Sequence, residues 1–282
     1  MDRTDCSLLI CGATFAGLGA AAAAREAGRN VVVVERSASV GREFIEAMNP
    51  GSGWRDPATD FGQNLKRDWL RRNVMEEGGP AHLPALHPLL CHLIKQSGLQ
   101  VRFLTEIVGV KERDGQYEVM LHDASGCTPL LARELVDTTS ECLTVPGRLA
   151  VPPRKRLNAY LHHPDPSGAS IPAPFDERMA VVRGRFSSER IVKVEVDPGD
   201  SWLQARQYLH QFWRARPEEW ALWTIASVAG CFESDVPTGL SRLGAGWSWQ
   251  PSEAFSNPLA AIDRGYDLYR KGEVAHDAAK AN

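Results

Sequence analysis

The chain lacks several patterns that would announce a function on their own. Its six cysteines, at 6, 11, 91, 127, 142 and 231, include no C-x-x-C pair. Neither a redox-active disulfide nor a thiolate metal clip is expected; buried free thiols in a reducing compartment account for all six. A charge of one sign is also lacking: 32 Lys and Arg against 35 Asp and Glu leave −3. That gives no electrostatic reason to expect nucleic acid or an anionic membrane as partner. There is no Ser-His-Asp pattern with a nucleophile elbow and no Walker loop. His82, His87 and His92, with Cys91, suit neither one helix face nor a chelate, and Pro84 and Pro88 interrupt them, so no metal is expected. The small, apolar run 8–24 follows a leader holding Asp2, Arg3 and Asp5, contains three glycines and flows into a β-rich segment. It reads as fold rather than address, and a cytoplasmic location is expected.

What is present begins with Leu8-Leu9-Ile10-Cys11-Gly12-Ala13-Thr14-Phe15-Ala16-Gly17, an alanine-rich run, and Val31-Val32-Val33-Val34-Glu35. The order is strand, glycine turn, helix, strand, acidic residue, the arrangement that holds the pyrophosphate and ribose of a dinucleotide. Gly12 lets the chain turn off the first strand, and Gly17 removes a side chain where helix packs on sheet. The helix N-terminus offers free N–H groups and a positive dipole end to phosphate. Glu35 can accept hydrogen bonds from ribose hydroxyls and would repel a 2′-phosphate. Thr14 stands at the second glycine of the usual G-x-G-x-x-G.

At 282 residues, 43% hydrophobic and 24% charged, the chain has the make-up of a globular protein with one large or two modest domains. A charged helix is expected over 64–77 and another from Leu83 to Gln96, starting near Pro88 and ending at Gly98. Leu99–Leu104 and Ile107–Glu112 read as strands, Asp114-Gly115 as a hairpin turn into Tyr117–His122, and Leu130–Asp137 as a return to the main sheet. Pro146, Pro152 and Pro153 mark a boundary. Beyond it, Leu157–His162, Met179–Arg185 and Arg190–Val196 suggest an antiparallel sheet, followed by helix from Ser201 to about Ala229. Six of the eight tryptophans lie between 202 and 249, which predicts a packed aromatic core more than a ligand cage. Asn257 and Pro258 are a good N-cap and first residue for a helix ending near Arg270.

The fingerprint Gly12-Ala13-Thr14-Phe15-Ala16-Gly17, the meander and the capped terminal helix resemble the FAD-dependent oxidoreductases with a glutathione-reductase-type FAD domain. The match is to the branch that reads G-A-T-x-A-G. The resemblance is firm over 6–41, extends over 86–140, and keeps its order over 243–270. It implies an α/β fold: a Rossmann-like FAD-binding domain, whose parallel sheet is interrupted by an antiparallel β-meander, plus a small β-rich substrate domain. The expected division is 1–145 with 237–282 for FAD, and 146–236 for the substrate cap.

Carried over residue by residue, Gly12, Ala13, Thr14, Phe15, Ala16 and Gly17 would bind the pyrophosphate, and Glu35 and Arg36 the adenosine side. Gly41 and Arg42 would pass near the flavin, Val108 would touch the adenine, and Thr138 and Thr139 would follow the returning strand. Asn257, Pro258 and Leu259 would put a second helix end against the flavin ring. Ser140 and Arg42 stand where the family has glycines, and the acidic Gly-Asp pair that often precedes the last helix is missing.

No second glycine fingerprint for a nicotinamide is present. The expected activity is therefore oxidation of a small molecule, with hydride passing from a C–H beside an amine or hydroxyl to flavin N5. His162 or His163 would serve as base, and Arg42 would pair with a substrate carboxylate or polarise the flavin. The alternative is a FAD-binding, non-catalytic or electron-relay subunit. The expected partners are a small-molecule substrate and either a second copy or another redox subunit.

Overall fold

The computed structural model describes residues 4–146, 152–165 and 170–272. The buried run Val31–Val34 needs neighbours on both faces, which only a central parallel strand supplies. β2 (Val31–Val34) lies between β1 (Thr4–Cys11) and β3 (Gln100–Arg102), parallel to both. Beyond β1 come β6 (Gly126–Asp137) and β13 (Trp247–Trp249), also parallel, and β12 (Ser241–Gly244) closes that edge antiparallel.

The meander is built on β6. Its first half pairs with β5 (Gln116–Asp123), which pairs in turn with β4 (Glu106–Arg113), while its second half joins the parallel sheet. Asp114 and Gly115, at φ +52° and +73°, make the β4–β5 turn, the doubly positive geometry that suits the twist of a two-residue hairpin.

α1 (Phe15–Glu26) is buried from Phe15 to Ala24; with no polar face over that stretch it must be enclosed. It crosses α5 (Pro258–Arg270) at backbone contact. A Cβ on Gly19 would lie 2.0 Å from the Ile262 carbonyl oxygen, and one on Gly265 would lie 2.1 Å from that of Ala16. The crossing exists because both positions are glycine.

A second, antiparallel sheet runs β10 (Thr224–Val228), β7 (Lys155–His162), β9 (Glu189–Val196), β8 (Met179–Arg183), with β11 (Glu233–Ser234) also on β7. Its core is closed by α4 (Trp202–Arg214) and by Trp213, Trp220 and Trp223. The tryptophan-rich stretch is thus mainly core.

Several boundaries differ from the sequence reading. The helix expected over 64–77 is α2 (Asp60–Arg71), whose N-cap Thr59 accepts the Gly62 N–H. α3 spans Leu83–Gln96 with Pro84 in its first turn and Pro88 inside, so Pro84, not Pro88, marks the start. The helix expected from Ser201 to Ala229 stops at Arg214; Pro217 then starts a short 3-10 turn, and residues 224–228 become β10. Pro146 and Pro152 flank 147–151, which lies outside the described residues.

Candidate functional site

The carboxyl ends of β1, β2 and β6 open onto two adjoining cavities. Such a crevice is where open α/β sheets take ligands. The smaller, about 200 Å³, is bounded by Cys11, Gly12, Val34, Thr105, Glu106, Ile107 and Leu143. The larger, about 450 Å³, extends past Thr14, Glu43, Ser140 and Glu253 to Lys155, Trp202, Cys231 and Phe232 of the second sheet's region. Glu35, Arg36 and Thr139 border both, so the two lie side by side in one crevice, the groove.

Glu35, buried at the end of β2, accepts the Ala13 N–H at 3.0 Å through Oε2 and the Ser37 N–H and O–H at 2.8 and 2.7 Å through Oε1. A carboxylate has about four acceptor positions, so room is left for a ribose hydroxyl. Arg36 pairs with Glu141 at 2.6 Å beside it. Gly12 sits at φ +98°, and a Cβ there would meet Thr139 Cγ2 at 2.9 Å; one on Gly17 would meet the Gly12 oxygen at 2.4 Å. Thr14, at the position of the usual second glycine, caps α1: its Oγ1 accepts the Gly17 N–H at 2.9 Å and its hydroxyl donates to Thr138 Oγ1 at 2.7 Å. Thr138 donates onward to the Cys11 carbonyl at 2.9 Å.

The head of α1 is occupied by the protein itself. Glu43 Oε1 accepts the Phe15 N–H at 2.8 Å and the Ser252 hydroxyl at 2.7 Å. Ser252 Oγ accepts the Ala16 N–H at 3.1 Å. With Thr14 on Gly17, each of the first three helical N–H groups has a side-chain acceptor. Gly41 N–H to the Ala13 carbonyl at 2.9 Å and the edge-to-face Phe15–Phe44 pair hold the Glu43 segment in place.

Glu43 Oε2 and Glu253 Oε2 are enclosed and have no hydrogen-bond partner. Burial pushes the Glu43 carboxyl up to about 7, against the Ser252 and Phe15 hydrogen bonds that favour ionisation. Burial likewise holds Glu253 well above the usual carboxylate range, against a hydrogen bond from Ser140. Neither residue was singled out from the sequence as a site; a glutamate two residues after a loop glycine, and another in Pro-Ser-Glu-Ala, carry no spacing that marks them. Lys155 and Cys231 also border the larger cavity. Lys155 donates to the Pro198 and Asp200 carbonyls, and burial pushes the Cys231 thiol up to about 12.

The other expected site residues divide between the groove and places away from it. Arg42 borders the larger cavity, with its Nε on Glu46 at 2.6 Å. Phe15 is core, and Gly41, at φ +64°, faces the Phe15 ring. Val108 is exposed at the bulge of β4; Ile107 beside it borders the smaller cavity. Neither His162 nor His163 borders the groove. They stand at the far end of β7, roughly 23 Å along the strand from Lys155. There His162 is exposed and His163 packs at a tilt against Trp223 with centroids 5.0 Å apart.

Asn257, Pro258 and Leu259 do not border the groove either. Asn257 Oδ1 caps the Ala260 N–H at 2.9 Å, its Nδ2 donates to the Ser52 carbonyl at 3.0 Å, and a Cβ on Gly51 would touch the Ser256 oxygen. Residues 51–52 cover the head of α5. What reaches the groove is the preceding 3-10 turn, Ser252–Ala254. Among the described residues no group of three or more His, Cys, Asp or Glu could hold a metal, and no helix is long and apolar enough to cross a membrane.

The fold and groove define a FAD-binding Rossmann-type flavoprotein. Residues 7–145, about half of the chain, match the model of the FAD dependent oxidoreductase family, and over that segment the chain belongs to it, an enzyme family whose cofactor is FAD. Solved structures agree in fold. L-proline dehydrogenase from P. horikoshii is 12% identical at a TM-score of 0.64, over 96% of this chain and 95% of that one. The p-nitrophenol 4-monooxygenase PnpA from Pseudomonas putida DLL-E4 is 15% identical at 0.60, over 95% and 78%. Aklavinone-11 hydroxylase, solved with FAD and aklavinone, is 15% identical at 0.58, over 96% of this chain but only 62% of its own. No curated protein matches the sequence.

The residues fit the adenosine portion of FAD: a cavity at the sheet's edge and a buried glutamate with an acceptor position to spare. At the pyrophosphate they fit in a modified form, because the helix N–H groups already have protein acceptors and Glu43 stands among them.

Proposed function

We propose that this chain binds FAD along the groove and oxidises a small molecule at a C–H beside an amine or hydroxyl. The observation that supports this most is the pair of cavities side by side at the carboxyl ends of β1, β2 and β6, with Glu35, Arg36 and Thr139 bordering both. When bound, the flavin supplies a two-electron acceptor for hydride. Everything else falls to the chain. Glu35 holds the ribose, Arg36 and Arg42 offset the cofactor's negative charge, and the 146–236 region, read as the substrate cap, excludes water through Trp202 and Phe232. With both histidines at the far end of β7, Glu253, a carboxylate bordering the larger cavity with an unpartnered oxygen, is the group we assign to accept the proton of the substrate's heteroatom.

The distance of His162 and His163 from the groove is also the observation on the side of a second reading, a FAD-binding subunit that relays electrons for a catalytic partner. Anaerobic mixing of the FAD-loaded chain with a panel of amines, amino acids and hydroxy acids separates the two. Loss of the flavin's visible absorbance with one compound class supports the enzyme; no loss with any of them, while a chemical reductant bleaches it, supports the relay.

A further inference from the structure

In an ordinary dinucleotide site the head of the first helix is left to the phosphates. Here a carboxyl of the chain is seated on it. Glu43 borders the larger cavity; its Oε1 takes the Phe15 N–H and the Ser252 hydroxyl, while its enclosed Oε2 has no partner. Glu43 is 7% exposed, so the empty acceptor position is turned away from bulk water. An ionised Glu43 in that position would set a buried negative charge beside a ligand that brings two more. A protonated one would present an O–H donor to a phosphate oxygen.

We propose that Glu43 is a proton-dependent ligand of the cofactor's pyrophosphate: neutral, it donates through Oε2 where the capped helix no longer can, and ionised, it opposes binding. The proposal rests on the FAD reading of the groove. The groups around Glu43 are mixed in sign. Glu35 at the end of β2 and Glu253 on the 3-10 turn disfavour its ionised form, while Arg42 in its own segment, Arg36 beyond β2 and Lys155 across the cavity are the cations bordering the same space. Burial is the largest influence and leaves the carboxyl titrating at about 7, where a proton is available to gain or lose.

The sign follows from linkage. Bound pyrophosphate makes ionisation of Glu43 harder still, so the complex holds its proton to higher pH than the free protein. Binding then takes up a proton above pH 7, and affinity falls as pH rises. Between pH 6 and pH 8.5 the fall is roughly 30-fold for a group titrating at about 7 in the free chain. Adenosine, which carries no phosphate, would show no such fall.

The test is isothermal titration of the full chain with FAD and with adenosine at pH 6 and 8.5, in two buffers of different ionisation enthalpy, for wild type and Glu43→Gln. Far-UV circular dichroism checks that the variant is folded. The expected result is a roughly 30-fold weaker FAD affinity at pH 8.5 for wild type, most of a proton taken up per FAD near pH 8, and flat profiles for Glu43→Gln and for adenosine. A wild-type FAD affinity that does not change with pH overturns the proposal while leaving the cofactor reading intact. So does a slope that persists in Glu43→Gln or is shared by adenosine. No FAD uptake by either protein at either pH overturns both.

Discussion

Ser252 and Glu43, 209 residues apart in sequence, meet at 2.7 Å over the head of α1. The contact joins the 3-10 turn before the last helix to the loop after β2, and Ser252 also accepts the Ala16 N–H. Ser252→Ala removes a buried acceptor and a donor together. A loss of about 1–3 kcal/mol is expected, read as a lower urea midpoint with unchanged slope. Because that hydroxyl favours ionised Glu43, the variant should also move the pH dependence described next to higher pH.

Stability should fall as pH rises through the range in which Glu43 titrates. Its carboxyl sits at about 7 in the folded chain against an ordinary 4.5. A group raised on folding contributes stability fully below its unfolded value and loses it as pH climbs through the folded one. Between pH 4.5 and 7 the loss is on the order of 2–3 kcal/mol. Denaturant titrations at pH 5 and 8 check this; Glu43→Gln should be more stable than wild type at pH 8, with the difference closing towards pH 5.

Gly265→Ala should loosen the base of the groove without touching it. Its Cβ would stand 2.1 Å from the Ala16 carbonyl oxygen, and neither backbone can give way without parting α1 from α5. About 3 kcal/mol or more of destabilisation is expected. A thermal midpoint within a degree of wild type would mean that the crossing is not as close as described.

Glu35→Gln keeps the size of the side chain and removes its charge. If Glu35 holds the ribose, FAD affinity should drop about tenfold or more, the worth of a hydrogen bond to a charged group. Adenosine affinity should drop by the same factor, because the contact lies on the adenosine side. Fluorescence or calorimetric titration measures both.

The sequence carried the parallel sheet, the meander and the capped last helix, because each has a local signal. Val31–Val34 is apolar throughout, Asp114-Gly115 fits one kind of turn, and Asn257-Pro258 starts a helix. The helix expected to run on to Ala229 ended at Arg214, since residues 224–228 form a strand only by pairing with β7, a partner some sixty residues earlier. The close turn at Gly12 and Gly17 and the buried carboxylate at the end of β2, Glu35, were legible because turn geometry and strand pattern mark those positions locally. Glu43 and Glu253 carry no such signal, because their burial and their contacts with Ser252 and Ser140 arise only in the fold. The histidines at 162 and 163 looked well placed in sequence, but the groove meets β7 at its opposite end.

The most direct measurement of the central claim is a titration of the purified chain with FAD at pH 6, followed by flavin fluorescence and by the visible spectrum of the complex after gel filtration. The expected result is saturable uptake of one FAD per chain, retained through the column and weakened by Glu35→Gln. A chain that stays colourless and leaves the flavin's fluorescence unchanged at every concentration would contradict it.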